Sequence, residues 1–312
     1  MRKIVGPVLL FLGAFLIAIG LLSKFYMGNA LLKTPINVDE VIHLDGTAQL
    51  PNAQGEVESQ PVIATSSYLS NSKLSDSSVA SFENAQCVVL DVGNPVGCPP
   101  ADDPQGRLLS ATTDNFATDR RTAEAVNDPA HLPPGSIQHE GLINKWPFLA
   151  EKKTYTYWDD GTQAGVDATY KGTDTLDGHE VYVYDVQVPK TQIEVAAGVE
   201  GYYTDDKQVY VDQLTGSVID QREHQVRTDL KGNPVIDLTI GFTDAQVKKL
   251  VDEAETNGKS LKLIRNTLPL VGLVVGVPVF VIGLLLTIRN RRRSDGAHAE
   301  GTPAPEVPAS TA

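Results

Sequence analysis

The sequence predicts an α+β membrane protein: two transmembrane helices flanking a large exported domain built mainly on antiparallel β-sheet. Three observations carry that prediction. Residues 4–22 and 267–288 are uncharged and almost wholly apolar. From 152 to 242 apolar and polar residues alternate with a period close to two, the signature of half-buried strands. A single amphipathic helical pattern follows the last strand, just before the second apolar run.

The first run reads "IVGPVLLFLGAFLIAIGLL" after Arg2 and Lys3. A spanning helix needs about 20 apolar residues because the hydrocarbon core is about 30 Å thick. The run is longer than a signal-peptide core, and no clear small-residue cleavage site follows, so it predicts an uncleaved signal anchor. The second run ends at "RNRRR", with Arg289, Arg291, Arg292 and Arg293. Basic residues collect on the cytoplasmic side. Residues 1–3 and 289–312 are therefore expected in the cytoplasm, and 23–266 outside the cell membrane. The tail after the arginines is rich in Pro, Ala, Thr and Ser and is expected to be disordered.

Within the exported part, residues 30–70 look strand-rich and 71–82 read as a Ser-rich loop. Cys87 and Cys98 bracket "VVLDVGNPVG", whose Gly93, Asn94, Pro95 and Gly97 turn the chain back. Outside the cytoplasm such a pair predicts a disulfide, two free thiols being the alternative. The turn-rich insert runs on to 107. Residues 123–143 carry Pro129, Pro133, Pro134 and Gly135 and mark a break between two subdomains. Next comes "NKWPFLAEKKTYTYWDDG", which holds Trp146, Phe148, Tyr155, Tyr157 and Trp158. Its "TYTYW" reads as a strand whose aromatics pack a core or line an apolar ligand groove, with carbohydrate stacking a third reading. "HEVYVYDVQV", the hairpin "QVYVDQLTGSVIDQ" with its bend at Thr215-Gly216, and "NPVIDLTIGF" supply further strands. Thr243 then caps a helix, with Gln246 at capping-box spacing and Val247, Leu250, Val251 and Ala254 as its stripe. Asn257-Gly258 reads as its stop.

Charge excludes one class of partner. Six of the 26 basic residues but only three of the 39 acidic ones lie in the terminal segments. The exported part is strongly acidic and repels nucleic acid. No catalytic residues, cofactor motif or metal-ligand set stands out. There is no G-x-S-x-G. His139-Glu140 and His179-Glu180 lack the second histidine of a zinc helix. The Asp-Asp pairs at 102–103, 159–160 and 205–206 match no calcium loop and read as a solvated acidic face. The chain is read as no enzyme and as needing no cofactor.

The spans carry a small-residue pattern. Gly6, Gly13 and Gly20 recur every seven residues, and Gly272, Gly276 and Gly283 fall on one face of the second span. Such faces let helices approach closely, either with each other, in a homo-oligomer or on a partner membrane protein.

Several of these stretches together resemble the actinobacterial porin PorA family. They are "RKIVGPVLLFLGAFLIAIGLL", "WPF" with "EKKTYTYWD" at 146–159, "YVDQLTGSVIDQREH" at 210–224, and the arginine-ended second span. The resemblance covers about residues 1–293. It implies a membrane-anchored exported domain in a mycolate-type cell envelope and, by the family's name, a pore; it brings no catalytic residues. The two-span layout is also similar to that of scavenger receptors that bind or move lipids, by architecture alone. The leading expectation is a non-enzymatic envelope protein that binds or conveys a lipid or other envelope component along Trp146, Phe148, Tyr155, Tyr157 and Trp158. A channel-forming or channel-associated protein is the second expectation, and an envelope scaffold the third.

Overall fold

A computed structural model describes residues 2–27, 30–52, 54–93, 95 and 97–299. Three α-helices are present among them: α1 (Arg2–Leu22), α2 (Asp244–Lys262) and α3 (Leu268–Ala299). The strands are β1 (Asp39–Pro51), β2 (Val57–Ser70), β3 (Val79–Leu90), β4 (Leu108–Asp119), β5 (Tyr155–Asp159), β6 (Ala164–Leu176), β7 (His179–Ala196), β8 (Val199–Asp212), β9 (Val218–Asp229) and β10 (Pro234–Phe242). The chain divides into two compact units, Met1–Leu31 with Lys259–Ala312, and Leu32–Gly258.

The first unit is a helix hairpin. Both helices are long and apolar enough to cross a bilayer. They run antiparallel, because Gly6 lies against Thr287, Gly13 against Phe280 and Gly20 against Gly272. A Cβ on Gly13 would sit 2.3 Å from the Phe280 backbone nitrogen, and one on Gly283 would sit 2.3 Å from that of Leu10. Only glycine permits that approach. The glycine faces are thus spent within one chain and are not left free for a second copy or a partner. Phe11, Phe15, Leu270, Val274 and Leu285 face outward. Each helix meets a single π-helical turn, Ser23–Met27 after α1 and Leu263–Thr267 before α3. The Ser23 hydroxyl donates to the Ile264 carbonyl and ties the two turns together.

The second unit is one antiparallel sheet of ten strands in the order β4-β3-β2-β1-β10-β9-β8-β7-β6-β5. Two meanders, β1 to β4 and β5 to β10, join where β1 pairs with β10, from Leu44 opposite Phe242 to Gln49 opposite Asp237. Gly46 lets them meet: a Cβ there would lie 2.0 Å from the Thr239 carbonyl oxygen. Asp177 and Gly178, both at positive φ, make the tight turn from β6 to β7. Cys87 on β3 is disulfide-bonded to Cys98, which staples the loop that follows.

The sheet curls until its two edges meet. Residues 120–154, between β4 and β5, bridge them: Thr118 pairs with Ala125, Glu124 with Leu142, and Leu142 with Tyr157. Residues 123–143 therefore do not separate two subdomains. They close one sheet into a barrel-like body, and the prolines shape the crossing.

Two other expectations are corrected. α2 does not stop at Asn257-Gly258; Gly258 is helical and buried, and the helix runs on to Lys262 and through the π turn toward α3. A glycine costs a helix only about 1 kcal/mol, and the absent side chain leaves room for Leu214, whose Cδ2 would be 3.8 Å from a Cβ there. The tail is not disordered from the arginines onward, since α3 extends to Ala299. Residues 300–312 lie outside the described residues. At the other end of α2, Thr243 Oγ1 accepts the Gln246 N–H at 3.1 Å, one half of a capping box. The Gln246 side chain accepts from His43 N instead, at 3.3 Å, and so ties the helix to β1.

Gly13→Leu is expected to destabilise the helix hairpin by about 1–3 kcal/mol through overpacking. Phe15→Leu, on an outward position, should leave it unchanged. Thermal unfolding of the full-length protein in detergent micelles compares the two.

Candidate functional site

The aromatic stretch folds as core. Trp146 is fully buried, and its ring stacks 5.2 Å from Tyr157 and lies 5.1 Å from Tyr184. Tyr155, Tyr157 and Trp158 are also buried, and Phe148 is half-buried under the Lys145 ammonium, 3.8 Å from its ring centroid. Trp146, Tyr155 and Tyr157 pack with Tyr184, Val186, Val209 and Val211. The groove expected along these five residues is filled by the protein's own side chains, because the 120–154 crossing drives Trp146 against the sheet. Lys152 and Lys153 cover the outside: Lys152 lies over Tyr170 and Tyr182, and Lys153 over Tyr155.

A different group of side chains converges within the curl. On β8 the alternate residues Tyr203, Asp205, Lys207, Val209 and Val211 share one face. Val209 and Val211 belong to the aromatic core, so the face points inward. Further along the same face, apolar side chains give way to charge. Lys207 Nζ lies 3.4 Å from Asp205 Oδ2 and 3.3 Å from Glu223 Oε2, with Glu223 directly across on β9. Gln221 and Gln225 donate to Glu223 from either side. Tyr203 donates to Asp159 at the end of β5. Gln86 on β3 donates to Asp160 at 3.2 Å, although β3 and β5 stand near opposite ends of the sheet order. Only the curl brings them together.

The electrostatics follow from this crowding. The Asp205 side chain has no exposed surface, and neither carboxylate oxygen accepts a hydrogen bond among the described residues. Burial, reinforced by Glu223 and Asp159 and opposed by Lys207, pushes its carboxyl up to about 7. Burial works against the charge on Lys207 as well, but Glu223 and Asp205 hold it protonated, well above its ordinary range. Asp160 keeps open surface, yet the surrounding protein still raises its carboxyl by desolvation. Burial also raises the hydroxyls of Tyr157 and Tyr203.

One aspartate in each of two Asp-Asp pairs thus departs from the solvated face expected of it, while Asp160 and Asp206 stay exposed. Asp159 is 1% exposed and is held by Thr162 and Tyr203; Asp205 is likewise buried. The signal was present in "YYTDDKQVYVD", where charges occupy alternate positions of an otherwise apolar face. No cluster of three or more His, Cys, Asp or Glu placed to hold a metal ion occurs among the described residues.

An apolar helix hairpin and a curled antiparallel sheet with a charged interior define a membrane protein of two parts. A model of the Porin PorA family matches residues 5–285, and the chain belongs to that family. It is 30% identical over 94 residues to Porin PorA of Corynebacterium amycolatum, a match spanning 26% of this chain and 24% of that protein. The chain thus spans about a quarter of the curated relative it matches. Among solved structures, Aeromonas veronii immune modulator A aligns over 69% of this chain and 99% of its own, at 8% identity and a TM-score of 0.13, too low to relate the two folds.

Trp146→Ala should cost about 3–5 kcal/mol, as expected for a large buried aromatic, read from the urea midpoint. The pH dependence of stability tests Asp205. Its folded pKa lies above its unfolded value, so its contribution is full below about pH 4 and is lost as pH rises toward about 7. Asp205→Asn should flatten the fall in urea midpoint between about pH 4 and pH 7.5.

Proposed function

We propose that this chain is a non-enzymatic, membrane-anchored envelope protein of the porin-like, channel-associated kind. Its helix hairpin holds it in the cell membrane, and its sheet domain takes polar, positively charged solutes into an acidic interior. The observation that carries this reading is the pairing of buried Asp205 and Glu223 with Lys207, with Asp160 close enough to feel the Lys207 charge and Asp159 close enough to feel Asp205. Family membership supports the porin-like part. Antiparallel packing of the helices supports a topology with both chain ends on one side of the bilayer. The arginines after 288 favour the cytoplasm for that side, with residues 23–266 outside.

Channel-associated fits better than a self-contained pore. The two helices use their glycine faces on each other, and residues 4–22 and 267–288 carry no charge that could line a path. The outer face of the sheet does not suit lipid either: on β1 the exposed residues include Asp39, Val41, His43, Asp45 and Thr47, and on β6 Asp167, Thr169, Lys171 and Thr173. The lipid-conveying alternative loses its groove to the packed core.

Calorimetric titration of the full-length protein in nanodiscs with putrescine, a small organic dication, tests the reading. Saturable binding that weakens about tenfold or more in Asp160→Asn, the loss of one charge-assisted contact, supports it. No heat of binding to the wild type, or equal binding to the variant, overturns it.

A further inference from the structure

The helix hairpin carries a basic collar at the end opposite the chain termini. It lies wholly within the first compact unit, on residues 23–31 and 259–267. These two segments hold Lys24, Lys259, Lys262 and Arg265 and no aspartate or glutamate. The Ser23 hydroxyl donates to the Ile264 carbonyl, so Lys24 and Arg265 each adjoin that contact between the π turns. Lys24 and Lys262 are exposed and Arg265 is half-buried. No carboxylate lies within 4.0 Å of these three cations among the described residues. They do not serve a helix C-terminus either. Lys262 and Leu268, which flank the second π turn, both keep right-handed helical backbone, so α2 runs on into α3 with no row of free carbonyls to attract a cation. The depth of the collar follows from length. Residues 4–22 span about 28 Å as a helix, which matches a hydrocarbon core of about 30 Å. Ser23–Met27 therefore begin at the level of the lipid phosphates. Phe25 and Tyr26 stand there 73% and 70% exposed. Rings that open are costly in water, and an aromatic such as tyrosine is at home at the headgroup level.

We propose that this collar binds the phosphate groups of anionic phospholipids. A phosphodiester headgroup supplies the negative charge that the two segments lack. The Arg265 guanidinium offers paired donors to phosphate oxygens, and Lys24 and Lys262 act as point charges beside it. The two apolar helices bring the collar to the bilayer, so the lipid is the anion at hand. The collar also has work to do. The chain between the helices is strongly acidic and is repelled by an anionic membrane surface. Cations placed where the chain leaves the bilayer offset that repulsion.

Native mass spectrometry of the full-length protein, released from nanodiscs of equal parts phosphatidylglycerol and phosphatidylcholine, tests this. The wild type should retain phosphatidylglycerol in preference to phosphatidylcholine. The triple variant Lys24→Gln, Lys262→Gln, Arg265→Gln should lower that ratio about fivefold or more, the weight of a single basic residue near an anionic surface. The double variant Lys24→Arg, Lys262→Arg keeps the charge and should keep the ratio. Equal retention of the two lipids by the wild type overturns the proposal, as does a triple variant as selective as the wild type. A double variant that loses as much selectivity as the triple one overturns it too, since charge is then not what the lipid meets.

Discussion

The rest of the sheet domain depends on one constraint: both edges of a ten-stranded sheet must find hydrogen-bond partners. An unpaired edge exposes a row of backbone N–H and C=O groups and invites aggregation. Here a single crossing segment serves both edges. Val126 N donates to Ala117 O on β4, and Ala125 N donates to Gly141 O. Leu142 N donates to Thr156 O, and Trp158 N donates back to Leu142 O. Because the same segment grips β4 and β5, the edges face each other and the curvature of all ten strands is set. Gly141 marks the tightest point: its φ is +67°, and a Cβ there would lie 2.2 Å from the Thr156 carbonyl oxygen. His139 supports the same seam, with Nε2 2.7 Å from Asp114 on β4 and its ring 4.5 Å from Trp158 on β5.

Closing the seam turns one face of the sheet into an interior with two characters. Trp146, Tyr157, Tyr184, Val209 and Val211 fill part of it as a dry core. Asp205, Lys207 and Glu223 continue the same face as charge. Stability alone does not explain the second part. A buried ion pair rarely outperforms well-packed hydrophobic residues of similar volume, because desolvation offsets much of the Coulombic gain. The imbalance adds to that cost, since two carboxylates, Asp205 and Glu223, share one ammonium. Gly161 shows how closely the charged part is built: a Cβ there would lie 2.5 Å from the Tyr203 ring, which reaches Asp159 across that gap.

The sequence made local features legible and left the long-range ones hidden. Period-two alternation marked β7 and β10, turn residues marked the β6–β7 and β8–β9 bends, and uncharged length marked the two apolar helices. Pairing of β1 with β10 could not be read, because strands almost 200 residues apart leave no local trace of their register. The same limit hid the candidate site: Asp160, Asp205 and Glu223 are ordinary acidic residues until the curl places them together. Asn257-Gly258 misled for a related reason. The local stop signal is worth about a kilocalorie, and a helix continuous with an apolar run overrides it. Around Trp146 the aromatic composition favours a core but also fits a groove, and the path of the 120–154 crossing is what buries these rings.

The helix hairpin limits what any assembly of this protein can use. Gly6, Gly13, Gly20, Gly272, Gly276 and Gly283 all lie in the contact between α1 and α3. Close backbone approach through these glycines is therefore satisfied within one chain. What the hairpin presents outward is large and apolar, such as Phe11, Phe15, Val274 and Leu285. Side chains of that kind are at home against lipid tails, where association gains little from the hydrophobic effect and must come from packing. Several hairpins side by side would enclose an apolar surface, not a wet one. A water-filled path that involves this protein thus needs polar walls that these helices do not supply.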